Sequence, residues 1–417
     1  LKAIEDYQNE SRFHFPNEHR PAGRMARTTP LTPVLAAEGA AFTVVNGWER
    51  AEYFKPAPGF HVTHGFRFDE SFDVVAAEVA AVQTGVGLCE VNGFSRFEIT
   101  GADAVGFLDR MICGRLPRKP GRVGLAYLLN HQGRLKSEAT IANIPASDRG
   151  PDRIWYGSAA ASELHDMDWL RANLRQDEDV QIRSLTNDMT ILVLAGPKAR
   201  AVLSSVARGD WSAAAFPWLS LRECFIGIAP ATVLAVSFSG ELAYEIHIPN
   251  ASLHAAYLAL RLAGADHDLR LFGALAVDSM RMEKGYLHWK ADILSEFDPY
   301  ETGLDRFVDI SKPDFIGRQA LAARDGRIEQ RLVTLTLDST DAPAHPGASV
   351  LLDGVVVGSV TSGAWGHRVE LNLAYAFIRA DLAGPGTSMV IDSLGQPVPA
   401  KVIAACPYDP EGTRMRG

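Results

Sequence analysis

The chain has 417 residues and a formal net charge of -9, with 47% hydrophobic and 22% charged residues. This composition is typical of a folded globular protein, and the length predicts two or three domains. The negative charge argues against nucleic acid as a partner, because phosphate binding requires a clustered basic surface. No apolar run approaches the ~18 residues of a membrane span, so we expect no membrane contact.

The spacing of cysteines, histidines and glycines argues against several kinds of site. The four cysteines are scattered without a CxxC pair, which predicts reduced thiols in a cytoplasmic protein, or in the mitochondrial matrix of a eukaryote. The histidines lack HxxxH or HExxH spacing, so we expect no metal site. No GxGxxG follows a predicted strand, so we expect no flavin on this chain itself. Residues 1–30 are polar and rich in Pro and Arg, unlike a signal peptide.

The first part of the chain predicts an arm followed by alternating helices and strands. Residues 1–55 are rich in Pro, Arg and Gly and predict an extended arm, whose aromatic residues must pack on the rest of the protein or on a partner. From Ser71 onward, apolar residues at helical spacing predict a helix. Residues 94–99 alternate like a strand, and Asp103 stands near the start of a helix predicted over residues 101–111.

The rest of the chain continues this alternation and then changes character. Asn250 is expected to cap a helix, and Gly285 to end one. From Arg331, short Val-rich runs broken by Gly and Pro predict a small antiparallel barrel. Further elements are predicted as a hairpin over residues 124–141, strands over 191–194 and 232–236, and helices over 272–285 and 314–325. The predicted regions are the arm over 1–55, a central domain over 56–327 and the barrel domain over 328–417.

Four segments carry a resemblance to a known family. They are DSMRMEKGYLHWKADILSEFDPYETGLDRFVDISKPDFIGRQAL at 278–321, SFSGELAYEIHIP at 237–249, NHQGRLKSEATI at 130–141 and GSVTSGAWGH at 358–367. The chain resembles the folate-dependent aminomethyltransferase superfamily, whose founding member is the glycine-cleavage T-protein. It is most similar to the C-terminal tetrahydrofolate-binding half of dimethylglycine and sarcosine dehydrogenases. The resemblance implies an α+β aminomethyltransferase fold, with two intertwined mixed α/β modules and a C-terminal antiparallel β-barrel around a central cavity.

The same motifs imply residues for a tetrahydrofolate site. Such a site needs a carboxylate that accepts two adjacent hydrogen bonds from the pterin edge. The resemblance implies that Glu245 in SGELAYEI is this carboxylate, and that Glu241 and Tyr244 help to frame the site. It also implies that Glu138 hydrogen-bonds the folate nitrogen and takes up a proton, because Glu138 occupies the place of the family's catalytic acid.

The helix motif and the segments after it supply the remaining candidates. Arg281 either contacts the ligand or pairs with Glu283 and holds the helix to the following loop. Tyr286 and Trp289 are expected to form walls of the pterin or amine pocket. Trp365 is a candidate lid residue on the barrel side of the cavity.

The resemblance implies one-carbon transfer from an N-methyl amine, such as dimethylglycine or sarcosine, to tetrahydrofolate. In the oxidase-linked reaction, a flavin elsewhere produces an iminium, and the folate N5 attacks it to give 5,10-methylenetetrahydrofolate. The chain would then work with a flavin-containing oxidoreductase domain or subunit, as part of a larger flavoprotein or as a separate relative. Two alternatives remain open: direct folate-dependent demethylation of a small methylated substrate, and a non-catalytic folate-binding module of a flavoprotein complex.

Overall fold

The computed structural model describes residues 1–324 and 326–417. Its helices are α1 Lys2–Gln8, α2 Thr32–Ala37, α3 Ser71–Thr84, α4 Ala104–Met111, α5 Glu163–Ala172, α6 Ala199–Val206, α7 Leu253–Gly264, α8 Ala274–Lys284 and α9 Arg318–Ala322. Its strands are β1 Ala40–Val45, β2 Trp48–Phe54, β3 Gly87–Val91, β4 Ser95–Thr100, β5 Arg122–Leu129, β6 Leu135–Ile144, β7 Arg153–Ser158, β8 Gln181–Ser184, β9 Met189–Ala195, β10 Leu221–Ile226, β11 Ala229–Leu234, β12 Ala243–Pro249, β13 Arg270–Leu271, β14 Gln330–Leu337, β15 Ser349–Leu352, β16 Val355–Gly366, β17 Leu371–Arg379, β18 Ser388–Ser393 and β19 Gln396–Ile403.

Two sheets make up the central part of the chain. Sheet I has the strand order β10-β11-β12-β9-β3-β13, and sheet II has the order β5-β6-β7-β4-β8. The chain leaves sheet I after β3, forms sheet II, and returns to sheet I at β9, so the two modules are intertwined. Helices α6 and α7 pack on one face of sheet I, and α3 and α8 pack on part of the other. Helices α4 and α5 cover the outer face of sheet II.

The C-terminal part is a closed antiparallel barrel of six strands in the order β14-β17-β16-β15-β18-β19. Its interior holds Val, Leu, Ile and Ala side chains that alternate with outward-facing residues along each strand. The mixed α/β modules and this barrel confirm the fold class predicted from the sequence.

Sheets I and II pack face to face, and this packing positions the candidate site. Along β7, Tyr156 points into the core against α4 and α5, so its neighbour Trp155 points toward sheet I. The Trp155 ring lies 5.7 Å, between centroids, from the imidazole of His247 on β12. Side chains two residues before or after Trp155 on β7 point toward sheet I as well. Side chains two residues before or after His247 on β12 likewise point toward sheet II.

The predicted extended arm is the main correction to the secondary structure. Residues 1–55 contain α1, α2 and the β1–β2 hairpin, and Leu31, Leu35 and Ala51 lie in the core of sheet I. Asn46 and Gly47 both have positive φ, at 50° and 82°, and form the two-residue turn that favours such hairpins. The division of the chain at residues 55 and 328 stays a proposal.

Two smaller predictions also need correction. The Asn250 side chain does not cap α7, because it donates to the Asn187 carbonyl and accepts from the Thr190 hydroxyl. The helix predicted over 314–325 is only α9, which begins after Gly317 in the left-handed conformation at φ 86°. Residue 325, the predicted end of that helix, lies outside the described residues. The hairpin over 124–141 and the end of α8 at Gly285, with φ 74°, are as predicted.

Within residues 1–324 and 326–417, no helix has the length and apolar character needed to cross a membrane. The same residues contain no cluster of three or more His, Cys, Asp or Glu side chains arranged to hold a metal ion. The four cysteines are free thiols.

Candidate functional site

Strand β12 presents Glu245 to the space between the two sheets. Glu245 lies two residues before His247 and therefore shares the face that meets sheet II. The Glu245 side chain is 30% exposed, and one of its oxygens lies 3.1 Å from Nε2 of His247. Its second carboxylate oxygen accepts no hydrogen bond from a described residue, so it is available to a ligand.

His247 fixes this carboxylate without neutralising it. Burial and, to a smaller extent, the nearby charge of Arg96 lower the pKa of His247 to about 4, although Glu245 opposes this shift. The imidazole is therefore neutral at physiological pH, and its Nε2–H can donate to Glu245. Its other nitrogen, Nδ1, is buried without a hydrogen-bond partner among the described residues.

Arg96 and Trp155 on sheet II complete this side of the site. Arg96 is only 3% exposed, and its guanidinium carbon lies 5.4 Å from the centre of the Trp155 ring. Burial lowers the pKa of Arg96 to about 10, and the charge of Glu245 opposes this effect. The group is still a cation at neutral pH.

Glu138 lies on the same face of sheet II. On β6, Ala139 and Ile141 pack into the core against α4 and α5, so Glu138 points to the opposite face of sheet II, the face that carries Trp155. Its Oε2 atom is shielded from solvent and has no hydrogen-bond partner among the described residues. Burial raises the pKa of Glu138 to about 8, and the neighbouring Tyr127 side chain opposes this shift only in part. Tyr127 is the residue directly opposite on β5.

Trp289 belongs to the apolar cluster around Tyr127. It is partly buried there, and its indole Nε1 is another shielded donor without a partner among the described residues. Glu138 lies beside Tyr127, and Trp289 packs against the cluster that contains Tyr127, although Glu138 and Trp289 are 151 positions apart in the sequence. A buried polar atom without a partner can be satisfied by water or by a ligand.

Glu241 and Arg281 form hydrogen bonds and ion pairs with other residues of the chain. Glu241 is 1% exposed and accepts hydrogen bonds from Arg368 at 2.8 Å, Tyr408 at 2.7 Å and Arg414 at 2.7 Å. It therefore ties the loop before β12 to the barrel and the C-terminal segment. This saturation argues against the predicted role of Glu241 in framing the folate site.

Arg281 has an equally complete set of partners. Its guanidinium bonds Asp278 and Asp292 at 2.6 Å each, and Ser362 on β16 at 3.1 Å. Although burial lowers the pKa of Arg281, the two carboxylates raise it above the ordinary arginine value. Of the two roles left open by the sequence, the contacts favour the structural one, but the partner is Asp292 rather than Glu283. Glu283 instead pairs with Arg368.

The three remaining aromatic candidates lie in different surroundings. Tyr244 points away from Glu245 into the core of sheet I, where it stacks on Phe216, so we withdraw it from the candidate site. Tyr286 is half-buried; it stacks on Phe238, and its hydroxyl contacts Met415. Trp365 packs edge-on against Phe68 and Phe72. These last contacts join the barrel to the start of α3, and the roles of Tyr286 and Trp365 in binding stay predictions.

Two cavities lie apart from Glu138 and Glu245. One, of about 670 Å³, is lined mainly by the loop at residues 63–70. The other, of about 340 Å³, opens at the outer end of the space between the sheets, and Trp155 forms part of its wall. The candidate site therefore rests on its facing polar side chains rather than on a cavity volume.

Sequence reasoning missed His247, Arg96 and Trp155. A detectable signal was the alternation in EIHIP, which places His247 on the same face as Glu245. A second was the cation at Arg96 within the otherwise strand-like run FSRFEI. Their proximity could not be predicted, because it depends on how sheet II packs on sheet I.

Comparisons with known proteins agree with this fold. Residues 31–312 match the GCVT N-terminal domain, and residues 330–409 match the glycine cleavage T-protein C-terminal barrel domain. Mitochondrial dimethylglycine dehydrogenase of Rattus norvegicus is 31% identical over 420 residues, which cover 100% of this chain and 48% of that protein. Mitochondrial sarcosine dehydrogenase of Homo sapiens is 28% identical, covering 100% of this chain and 50% of that protein.

A solved structure gives the same result for the fold. The glycine cleavage system aminomethyltransferase T from Bartonella henselae superposes with a TM-score of 0.79 at 21% identity, covering 92% of this chain and 98% of that one. The chain spans about half the length of the curated relatives named above. The matched domains together extend over most of the sequence, and the chain belongs to the glycine cleavage T-protein family of aminomethyltransferases.

Proposed function

We propose that this chain binds tetrahydrofolate between sheets I and II and catalyses one-carbon transfer to it from an N-methylated amine. The observation that carries the proposal is Glu138, a carboxyl group with a pKa of about 8 and an unpartnered, shielded oxygen. Carboxyl groups with a pKa near neutrality can hold and release a proton during catalysis. The family membership and the dimethylglycine and sarcosine dehydrogenase relatives support the choice of cofactor and of donor class.

The chemistry of the facing side chains fits tetrahydrofolate. The pterin edge carries adjacent N–H donors, and Glu245 offers a carboxylate held in place by His247. Glu138 and Trp289 offer shielded polar atoms that lack partners among the described residues. Tyr127 and Trp289 supply flat apolar surface in one cluster. A ligand with a polar heteroaromatic ring would satisfy these groups together.

Each residue then has a definite task. When bound, tetrahydrofolate supplies the nucleophilic nitrogen that takes up the one-carbon unit. Glu245 orients the ligand by accepting hydrogen bonds at its outer edge. Glu138 holds a proton at neutral pH and, in its ionised form, accepts one, with Tyr127 beside it on the neighbouring strand. Positioning two reactants in this way can lower a barrier by roughly 7–11 kcal/mol at best.

Oxidation of the N-methyl group would come from outside this chain. Converting an amine to an iminium removes two electrons, and we assign that step to the flavin of a partner oxidoreductase domain or subunit. The dehydrogenase relatives, about twice as long as this chain, support such a partner. A compartment shared with these mitochondrial proteins, or the bacterial cytoplasm, stays part of the proposal.

Calorimetric titration with tetrahydrofolate tests the proposal. Glu245→Ala should weaken binding by about 2–4 kcal/mol, because it removes a charged acceptor from the ligand. Tyr244→Phe is the matched control: it alters the next residue on β12, on the opposite face, and should bind as the wild type does. Equal affinity in the folded Glu245→Ala variant, or no binding by the wild type, would contradict the proposed site.

A further inference from the structure

Arg96 is buried without the close carboxylate partners that hold Arg281 and Arg368. Arg281 and Arg368 each pair with two carboxylates. Arg96 is just as inaccessible, at 3% exposure, yet its guanidinium has no carboxylate within 4.0 Å and donates no hydrogen bond among residues 1–324 and 326–417. Its guanidinium lies over the Trp155 ring, and the charge of Glu245 acts on it from beyond 4.0 Å.

An unpaired cation in this position is costly to the folded protein. Burying a charge without a partner typically costs several kcal/mol. A cation–π interaction between the guanidinium and an aromatic ring offsets only part of that cost. The lowered pKa of Arg96, about 10, reflects the same burial. Such a cost is commonly tolerated where a ligand supplies the missing partner.

The surroundings of Arg96 leave room for that partner. Across sheet II, Arg96 on β4 lies beside Gly157 on β7, which lies beside Thr140 on β6. A Cβ atom placed on Gly157 would meet only backbone oxygens of sheet II, at 3.7 and 3.8 Å, so no atom of sheet I approaches it within 4 Å. Arg96 therefore neighbours a position on this face that sheet I does not contact within 4 Å, and Glu138 is two residues from Thr140 on the same face.

We propose that Arg96 is a ligand-binding residue that donates hydrogen bonds to an anionic or carbonyl oxygen of the molecule bound between the sheets. The inference rests on the proposed function and adds a specificity requirement to it. Two oxygens have this chemistry: the 4-oxo group of the pterin and the carboxylate of an amino-acid-derived amine. Ligands that lack such an oxygen leave Arg96 unpaired and bind more weakly.

Binding to the folded Arg96→Gln variant provides the test. Calorimetry would compare folic acid with its 4-amino analogue aminopterin, and dimethylglycine with dimethylethanolamine, which lacks the carboxylate. Arg183→Gln is the control, because Arg183 lies on the adjacent strand β8 and is largely exposed. Loss of a charge-assisted bond should lower affinity roughly 10- to 100-fold, and Arg96→Lys should restore part of it.

The two ligand pairs identify the oxygen. If Arg96→Gln weakens folic acid but not aminopterin, the partner is the 4-oxo group; if it weakens dimethylglycine but not dimethylethanolamine, the partner is the carboxylate. Wild-type affinities for folic acid and dimethylglycine in Arg96→Gln would overturn the Arg96 inference alone. Absence of binding by the wild type would overturn it together with the proposed function.

Unfolding without ligand gives an independent readout. Because Arg96→Gln removes an unpaired buried charge, the urea midpoint should stay the same or rise. A structural arginine such as Arg281 should behave in the opposite way when replaced by Gln. A lowered midpoint in Arg96→Gln, with ligand affinities unchanged, would show that the side chain serves the fold rather than a ligand.

Discussion

Replacing Glu138 by Gln should make the chain more resistant to unfolding at alkaline pH. The substitution keeps the shape and hydrogen-bonding capacity of the side chain but removes its titration. In the folded chain, burial raises the Glu138 pKa from 4.5 to about 8, so the folded protein favours the protonated form. The contribution of Glu138 to the free energy of unfolding is fully present below about pH 4.5 and is lost as the pH rises through 8. The glutamine of the variant does not titrate, so the variant keeps its stability over this range.

The size of the effect follows from the pKa. Each pKa unit corresponds to about 1.4 kcal/mol, so the rise from 4.5 to about 8 corresponds to at most about 5 kcal/mol. Water that enters between the sheets reduces this free energy. A difference of about 2 kcal/mol in the free energy of unfolding between the variant and the wild type is still easy to measure. Glu78 and Glu90 also have pKa values raised by burial to about 7, but they contribute equally to both proteins and cancel in the comparison.

The assay is urea unfolding of wild type and Glu138→Gln at about pH 5 and about pH 8.5, followed by tryptophan fluorescence. The urea midpoint of the variant, relative to that of the wild type, should be higher at about pH 8.5 than at about pH 5. The exposed carboxylate of Glu296 provides a control, because Glu296→Gln should follow the wild type at both. If the midpoints of Glu138→Gln and wild type differ by the same amount at both pH values, Glu138 does not titrate as argued.

The remaining predictions concern catalysis, the C-terminal contacts and the N-terminal region. Glu138→Gln should retain tetrahydrofolate in calorimetry but lose roughly 10²- to 10⁴-fold in one-carbon transfer, and transfer at the wild-type rate would exclude a proton-handling role. Glu241→Gln should lower the urea midpoint, because breaking a buried ion pair costs roughly 3–5 kcal/mol, with unchanged stability as the contrary result. Deleting residues 1–55 should lower the melting temperature sharply, since Leu31 and Leu35 lie in the core of sheet I; rapid proteolysis of the β1–β2 hairpin in the intact chain would contradict this.

Much of the fold was predictable because its signals are local. The helical spacing after Ser71, the hairpin turned near Gly133 and the Val-rich runs of the barrel each depend on neighbouring residues only. The β1–β2 hairpin had an equally local signal in Asn46-Gly47. It was missed because the surrounding Pro and Arg residues suggested an irregular arm.

The candidate site was predictable in part, because motif similarity identifies positions and not partners. Glu241 and Glu245 lie in one motif, yet Arg368 and Arg414 occupy Glu241, and neither is near it in the sequence. The direction of Tyr244 was within reach of the sequence, because adjacent strand residues point to opposite faces. Placing Arg96 near Glu245 requires the packing of the two sheets, which no local pattern encodes.

Buried charged groups in this protein differ in how they are paired. Glu241 and Glu283 are deeply buried and held by arginines, so removing either would leave an uncompensated charge inside the fold. Among the described residues, Glu138 has no cation within 4.0 Å and Arg96 has no carboxylate within 4.0 Å, although the charge of Glu245 acts on Arg96 from further away. The two do not neutralise each other, although both face the same space between the sheets. A single molecule lying between them could satisfy both, and for this reason we place the ligand there.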